Sequence, residues 1–140
     1  DVVSRLFSRT DFPGWGFMLQ CGATTIWERW QRLVGCEMNS HDHPALAAPD
    51  TWFYRYLAGI GPGSIDRDGR RLFRIAPCLP ENLSYAKGSC TTPWGTVSVA
   101  WEKKDGVVLM QVSIPPNTSA DIVINGKTHH KPAGTYYFEF

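Results

Sequence analysis

Glu28 lies within the run Gly22-Ala23-Thr24-Thr25-Ile26-Trp27-Glu28-Arg29-Trp30, which isolates one carboxylate among indole rings and small hydroxyl side chains. Rings at i−1 and i+2 cannot both point the same way, so part of the glutamate's surroundings is expected to be a ring-lined cleft. Such a cleft suits a sugar, whose C–H faces pack on indole and whose hydroxyls hydrogen-bond to carboxylates. Partial desolvation would also keep the carboxylate basic enough to activate water. The plainer reading is a surface glutamate whose neighbours pack inward. Trp27 and Trp30 are the candidate sugar contacts, and Arg29 is a candidate partner for a second carboxylate.

His43 closes a second block, Met38-Asn39-Ser40-His41-Asp42-His43-Pro44, just ahead of an expected helix. A neutral imidazole there can donate to or accept from a sugar hydroxyl. The competing reading is a helix-entry histidine tied to backbone. His41-Asp42-His43 and His129-His130 raise metal binding, but alternate or adjacent histidines without further ligands are weak evidence, and neither metal nor cofactor is expected. Cys21, Cys36, Cys78 and Cys90 lack the close spacing of a structural zinc site. Cys21 with Cys36, or Cys78 with Cys90, are bridges open to an oxidising compartment, with free thiols the favoured alternative.

The elements that must position these residues change character along the chain. Val2, Val3, Leu6 and Phe7 follow the spacing of one helix face, and Pro13-Gly14 ends it. A second helix is expected over 45–58, entered near Pro49-Asp50, with Trp52, Phe53, Tyr56 and Leu57 as a core stripe and Gly59 as its stop. From Gly61-Pro62-Gly63 onward short alternating segments take over, which places a boundary near 60 and gives domains 1–60 and 61–140. Val97, Val99 and Trp101 alternate with polar or small residues, as do Val108, Met110, Val112 and Ile114, across a turn at Lys104-Asp105-Gly106. Ile122 and Ile124 lead into Asn125-Gly126, a hairpin turn signal, and Tyr136, Phe138 and Phe140 form a last strand with Tyr137 and Glu139 on its opposite face. Several such strands predict an antiparallel β-sandwich. That half alone reads as a sugar-holding module of another functional class, with Trp94, between Pro93 and Gly95, the exposed ring and Trp101 buried.

The 140 residues, 43% hydrophobic, suffice for a core in one domain or two small ones. A formal net charge of +1 with no basic run argues against nucleic acid. No stretch approaches the roughly 18 uninterrupted apolar residues of a membrane helix. Asn82-Leu83-Ser84 and Asn117-Thr118-Ser119 match the glycosylation acceptor pattern, too short a signal to fix a compartment.

Four blocks taken together carry a resemblance: Pro13-Gly14-Trp15-Gly16, the Glu28 block, the Met38 to Pro44 block, and Trp52-Phe53-Tyr54-Arg55-Tyr56-Leu57-Ala58-Gly59-Ile60. In order and wording they resemble the C-terminal part of the bacterial and fungal α-L-rhamnosidases, inverting glycoside hydrolases. A weaker likeness runs through Ile75-Ala76-Pro77 and Ile114-Pro115-Pro116-Asn117-Thr118 to the end. The resemblance implies that Glu28 is the general base and that His43 contacts bound rhamnose. It further implies an α + β fragment, the last helices of an (α/α)6 barrel followed by the β-sandwich. The general acid would then lie on an earlier barrel segment of the same protein, which becomes a partner alongside a rhamnose-containing glycoside. One departure is a shorter link between the glutamate block and Met38-Asn39-Ser40, without the family's Gly- and Pro-rich turn.

Overall fold

A computed structural model describes residues 2–35 and 40–140, in two compact units spanning 1–50 and 51–140. In the first unit, α1 (Val2–Ser8) is followed by α2 (Trp15–Gln20). The small residue in Pro13-Gly14-Trp15-Gly16 has a steric cause: a Cβ on Gly16 would sit 2.2 Å from the Arg9 carbonyl oxygen. Trp15 stacks on Phe7 at 4.6 Å and donates its indole N–H to the Leu46 carbonyl at 3.0 Å, tying α1 to the far end of the unit. Between the helices the Arg9 guanidinium grips Asp11 through two bonds of 2.9 and 2.7 Å, and that hydrogen bond holds the Asp11 carboxyl below its usual pKa.

The helix expected over 45–58 is instead three short pieces. A 3-10 turn covers Pro44–Leu46, α3 covers Pro49–Trp52, and a π-type turn covers Phe53–Leu57. The cause is local: Pro44 and Pro49 cannot donate to a preceding turn and so restart the helix. The π turn ends where the Ala58 N–H reaches the Phe53 carbonyl at 2.8 Å. Phe53 and Tyr56 are exposed, so the expected core stripe is carried only by half-buried Trp52 and Leu57. Gly59 follows at φ 74, a left-handed conformation in which its backbone lies directly against Ala76 and Pro77.

The second unit is mostly β-sheet. Its strands are β1 (Ile60–Ile65), β2 (Arg71–Ile75), β3 (Tyr85–Thr92), β4 (Gly95–Lys104), β5 (Val107–Ile124) and β6 (Lys127–Glu139). They form one six-stranded sheet in the order β1-β2-β5-β4-β3, with β6 paired to β5. β5 changes partners along its length. Val107 to Ser113 pair with β4, and Thr118 to Ile122 pair with β2. The change falls at Pro115-Pro116-Asn117, where prolines lack donors, Asn117 takes φ 59, and the buried Thr118 hydroxyl donates to the Pro115 carbonyl at 2.7 Å. The β2–β5 pair is parallel, a correction to the wholly antiparallel pattern expected, because β2 reaches β5 through the β3–β4 hairpin rather than a tight turn.

Both halves of β5 feed one core. Phe73, Ile75, Ala120 and Ile122 pack into the same cluster as Val97, Val99, Trp101, Met110 and Val112. Trp101 is 2% exposed, as its alternation with the valines predicts, and donates its indole N–H to the Leu57 carbonyl at 2.8 Å, while Trp94, in the turn between Pro93 and Gly95, is 43% exposed. The hairpin turns take the left-handed pairs their sequences favour, Asp105-Gly106 at φ 51 and 84 and Asn125-Gly126 at φ 48 and 75. Cys21, Cys78 and Cys90 are free thiols, so the Cys78–Cys90 bridge left open by the sequence is not formed; Cys36 lies outside the described residues.

Candidate active site

The described residues between 21 and 43 contain no long element, so the site depends on individual hydrogen bonds. Glu28 N–H donates to the Ser40 carbonyl and His43 N–H to the Ile26 carbonyl, both at 2.9 Å. Ile26–Glu28 therefore runs antiparallel to Ser40–His43, and the two sequence blocks lie side by side with Glu28 and His43 toward opposite ends of the pairing. Met38 and Asn39 of the second block lie outside the described residues.

Glu28 is half-buried, and its Oε2 accepts the Ser40 backbone N–H at 3.1 Å. That bond orients the carboxylate and leaves the direction of Oε1 set. Ser40 is itself held by a small turn, its hydroxyl bonding the Asp42 carbonyl at 2.8 Å and accepting the Asp42 N–H at 3.2 Å. His43, extended at φ −143 and ψ 137, caps the Pro44–Leu46 turn: its Nδ1 accepts the Ala45 N–H at 3.0 Å. A neutral ring accepting at Nδ1 carries its proton on Nε2, which makes Nε2 a donor. The helix-entry role raised by the sequence is thus filled by Nδ1 alone.

The rings on either side of Glu28 diverge. Trp27 is 4% exposed and stacks on His41 at 5.0 Å, and Trp30 packs edge-on against Trp15 at 4.8 Å. His41 is pinned on its other side by Leu33, whose carbonyl its Nε2 meets at 3.0 Å, while its own carbonyl accepts the Thr25 hydroxyl. A cleft of about 300 Å³ opens here, lined by Cys21, Thr24, Thr25, Trp27, Arg32 and His41 among others. Trp27 is one of its walls although only 4% exposed. Glu28, His43 and Trp30 are not among the cleft's walls. Arg32 and His41 were missed as wall residues. Among the walls, Trp27 and the hydroxyls of Thr24 and Thr25 carry a sequence signal, whereas Arg32 gives none beyond being a cation after an aromatic block.

Among the described residues no group of three or more His, Cys, Asp or Glu is placed to hold a metal ion, and no helix is long and apolar enough to cross a membrane. His130 instead pairs across the strand with Asp121, Nδ1 to Oδ1 at 2.8 Å.

Two family models match the chain, the bacterial alpha-L-rhamnosidase 6 hairpin glycosidase domain over residues 1–57 and the bacterial alpha-L-rhamnosidase C-terminal domain over residues 59–138. An alpha-L-rhamnosidase of Formosa agariphila is 35% identical over 130 residues, covering 89% of this chain and 14% of its own length. Among solved structures, an alpha-L-rhamnosidase of Streptomyces avermitilis complexed with L-rhamnose superimposes over 100% of this chain and 16% of its own, with TM-score 0.85 and 27% identity. One from Dictyoglumus thermophilum superimposes over 97% of this chain and 18% of its own, with TM-score 0.82 and 28% identity. The chain thus spans less than a fifth of the length of these relatives.

Proposed function

The chain belongs to the bacterial α-L-rhamnosidases, and on that premise we propose that it forms the C-terminal part of an inverting glycoside hydrolase that removes terminal α-L-rhamnose from glycosides, with Glu28 as the general base. The observation that carries this reading is the half-buried Glu28 carboxylate, oriented through Oε2 by the Ser40 N–H, within the segment matched by the glycosidase-domain model. Oε1 takes the proton from a water placed between it and the anomeric carbon, on the face opposite the leaving group. Attack from that side inverts the centre. The general acid stands about 6.5–9.5 Å from Glu28, which leaves room for the water, and comes from an earlier segment of the same polypeptide.

His43 donates from Nε2 to a rhamnose hydroxyl while Nδ1 stays engaged with Ala45. Trp30 meets the sugar with the part of its ring not covered by Trp15, and Trp27 acts mainly by fixing His41 and the loop behind the glutamate. Residues 1–60 supply the last helices of an (α/α)6 barrel, and residues 61–140 form the C-terminal β-domain of the same polypeptide, a six-stranded sheet in place of the two-sheet sandwich expected. Without the segment bearing the acid, the chain does not turn over substrate alone.

The test is Glu28→Gln in the complete polypeptide, with chromophore release from an aryl α-L-rhamnoside and L-rhamnose binding followed together. A positioned base contributes on the order of 10² to 10⁴ in rate, so turnover should fall by that factor while rhamnose still binds. Turnover within a few-fold of the unsubstituted protein removes Glu28 from the mechanism.

A further inference from the structure

We infer that the outer face of the β3-β4-β5-β6 layer is a second carbohydrate site, one that holds a neutral oligosaccharide without cleaving it. The strand register places two rows of side chains on this face, the face opposite the core. One row reads Tyr85, Glu102, Leu109, Glu139 across the four strands, and the next reads Lys87, Ala100, Gln111, Tyr137. Tyr85 is 70% exposed and Tyr137 76%, values unusual for aromatic side chains, and together the rows wall a depression of about 780 Å³. Its floor is low because the small Ala100 lies between Lys87 and Gln111.

The dimensions suit a chain of sugars rather than a single one. Strands lie about 4.8 Å apart and a two-residue step advances about 6.8 Å, so the tyrosines at opposite corners are about 16 Å apart. Each ring offers a face for sugar C–H groups. Between them Lys87 donates, Glu102 and Glu139 accept, and Gln111 does both, the mixture that hydroxyls require because each is donor and acceptor at once. The same residues disfavour a buried protein contact, since the centres of protein interfaces are depleted of charged side chains, and three of these eight positions are charged. Two carboxylates against one ammonium favour neutral over acidic glycans. The site uses none of the residues around Glu28, so it stands or falls independently of the hydrolytic reading.

The complete polypeptide should be applied to immobilised neutral oligosaccharides built on rhamnose, glucose and galactose, alongside an acidic uronate chain. Comparison variants are the double substitution Tyr85→Ala with Tyr137→Ala, and Tyr54→Ala, an exposed tyrosine away from this face. Retention on at least one neutral glycan, weakened about tenfold or more by the double substitution and unchanged by Tyr54→Ala, is expected. Hydrolysis of a small aryl rhamnoside should be unaffected, since that substrate does not reach the second site. No retention on any neutral glycan, stronger retention on the uronate chain, or retention that survives the double substitution overturns the inference.

Discussion

Replacing Gly59 with alanine probes a junction where two backbone segments touch. Gly59 sits at φ 74, and a Cβ there would meet Pro77 N at 2.2 Å and Ala76 C at 2.5 Å. Those atoms cannot simply step aside. The Ala76 N–H donates to the Gly59 carbonyl at 2.8 Å and the Cys78 N–H to the Tyr56 carbonyl at 2.7 Å, so relief means stretching bonds on both sides of the contact. The left-handed conformation costs about 1–2 kcal/mol for a residue with a Cβ, and forcing the neighbouring backbone outward costs about 1–3 kcal/mol more. Gly106→Ala is the matched control: φ is 84 there, but nothing lies within 4 Å of the added methyl, so only the conformational cost applies. Urea unfolding followed by tryptophan fluorescence separates the two, because the slope for a small domain is about 1–3 kcal/mol per molar. Gly59→Ala should lower the midpoint by roughly 1 M more than Gly106→Ala does. Equal midpoints would refute the steric argument.

Trp101→Phe keeps an aromatic ring in the core but leaves the Leu57 carbonyl without its donor; a loss of about 1–3 kcal/mol in the same unfolding assay is expected, and no loss would mean that the bond to Leu57 carries nothing. Alkylation of the native protein without prior reduction should label Cys78, which is exposed and free, and labelling only after reductant would place it in a bridge. Asp11 should titrate below the ordinary carboxylate range, because its charged form accepts the Arg9 bonds. Its folded pKa is depressed, so its contribution to stability is present above the unfolded value and is lost as pH falls through the folded one. Arg9→Gln should move the NMR titration midpoint of Asp11 upward; an unmoved midpoint would contradict the pairing.

What the sequence disclosed follows from how local each signal is. The β4–β5 hairpin, the Asn125-Gly126 turn and the facing of Tyr136, Phe138 and Phe140 are written in period-two alternation and in turn residues that tolerate positive φ. The parallel β2–β5 pair has no such record, since it joins segments separated by a whole hairpin. The broken helix over 45–58 was disguised by its aromatic spacing, which satisfies a helix stripe even though Pro44 and Pro49 restart the backbone. Around the candidate site, the block wording singles out Glu28 and His43. The Ser40 bond to Glu28 and the stack of His41 on Trp27 depend on long-range contacts that leave no periodicity. The shared face of Tyr85 and Tyr137, in adjacent rows, becomes visible only once register aligns four strands.

The partner change of β5 has a further consequence for how this unit comes apart. A single strand whose first half is hydrogen-bonded to β4, whose second half is bonded to β2, and which β6 accompanies on both sides of the bend, cannot be peeled from one neighbour while the other holds. The unit therefore has no seam. Its amide protons along β5 should exchange in one cooperative opening rather than two, and a perturbation at either end of the strand should change the stability of the whole.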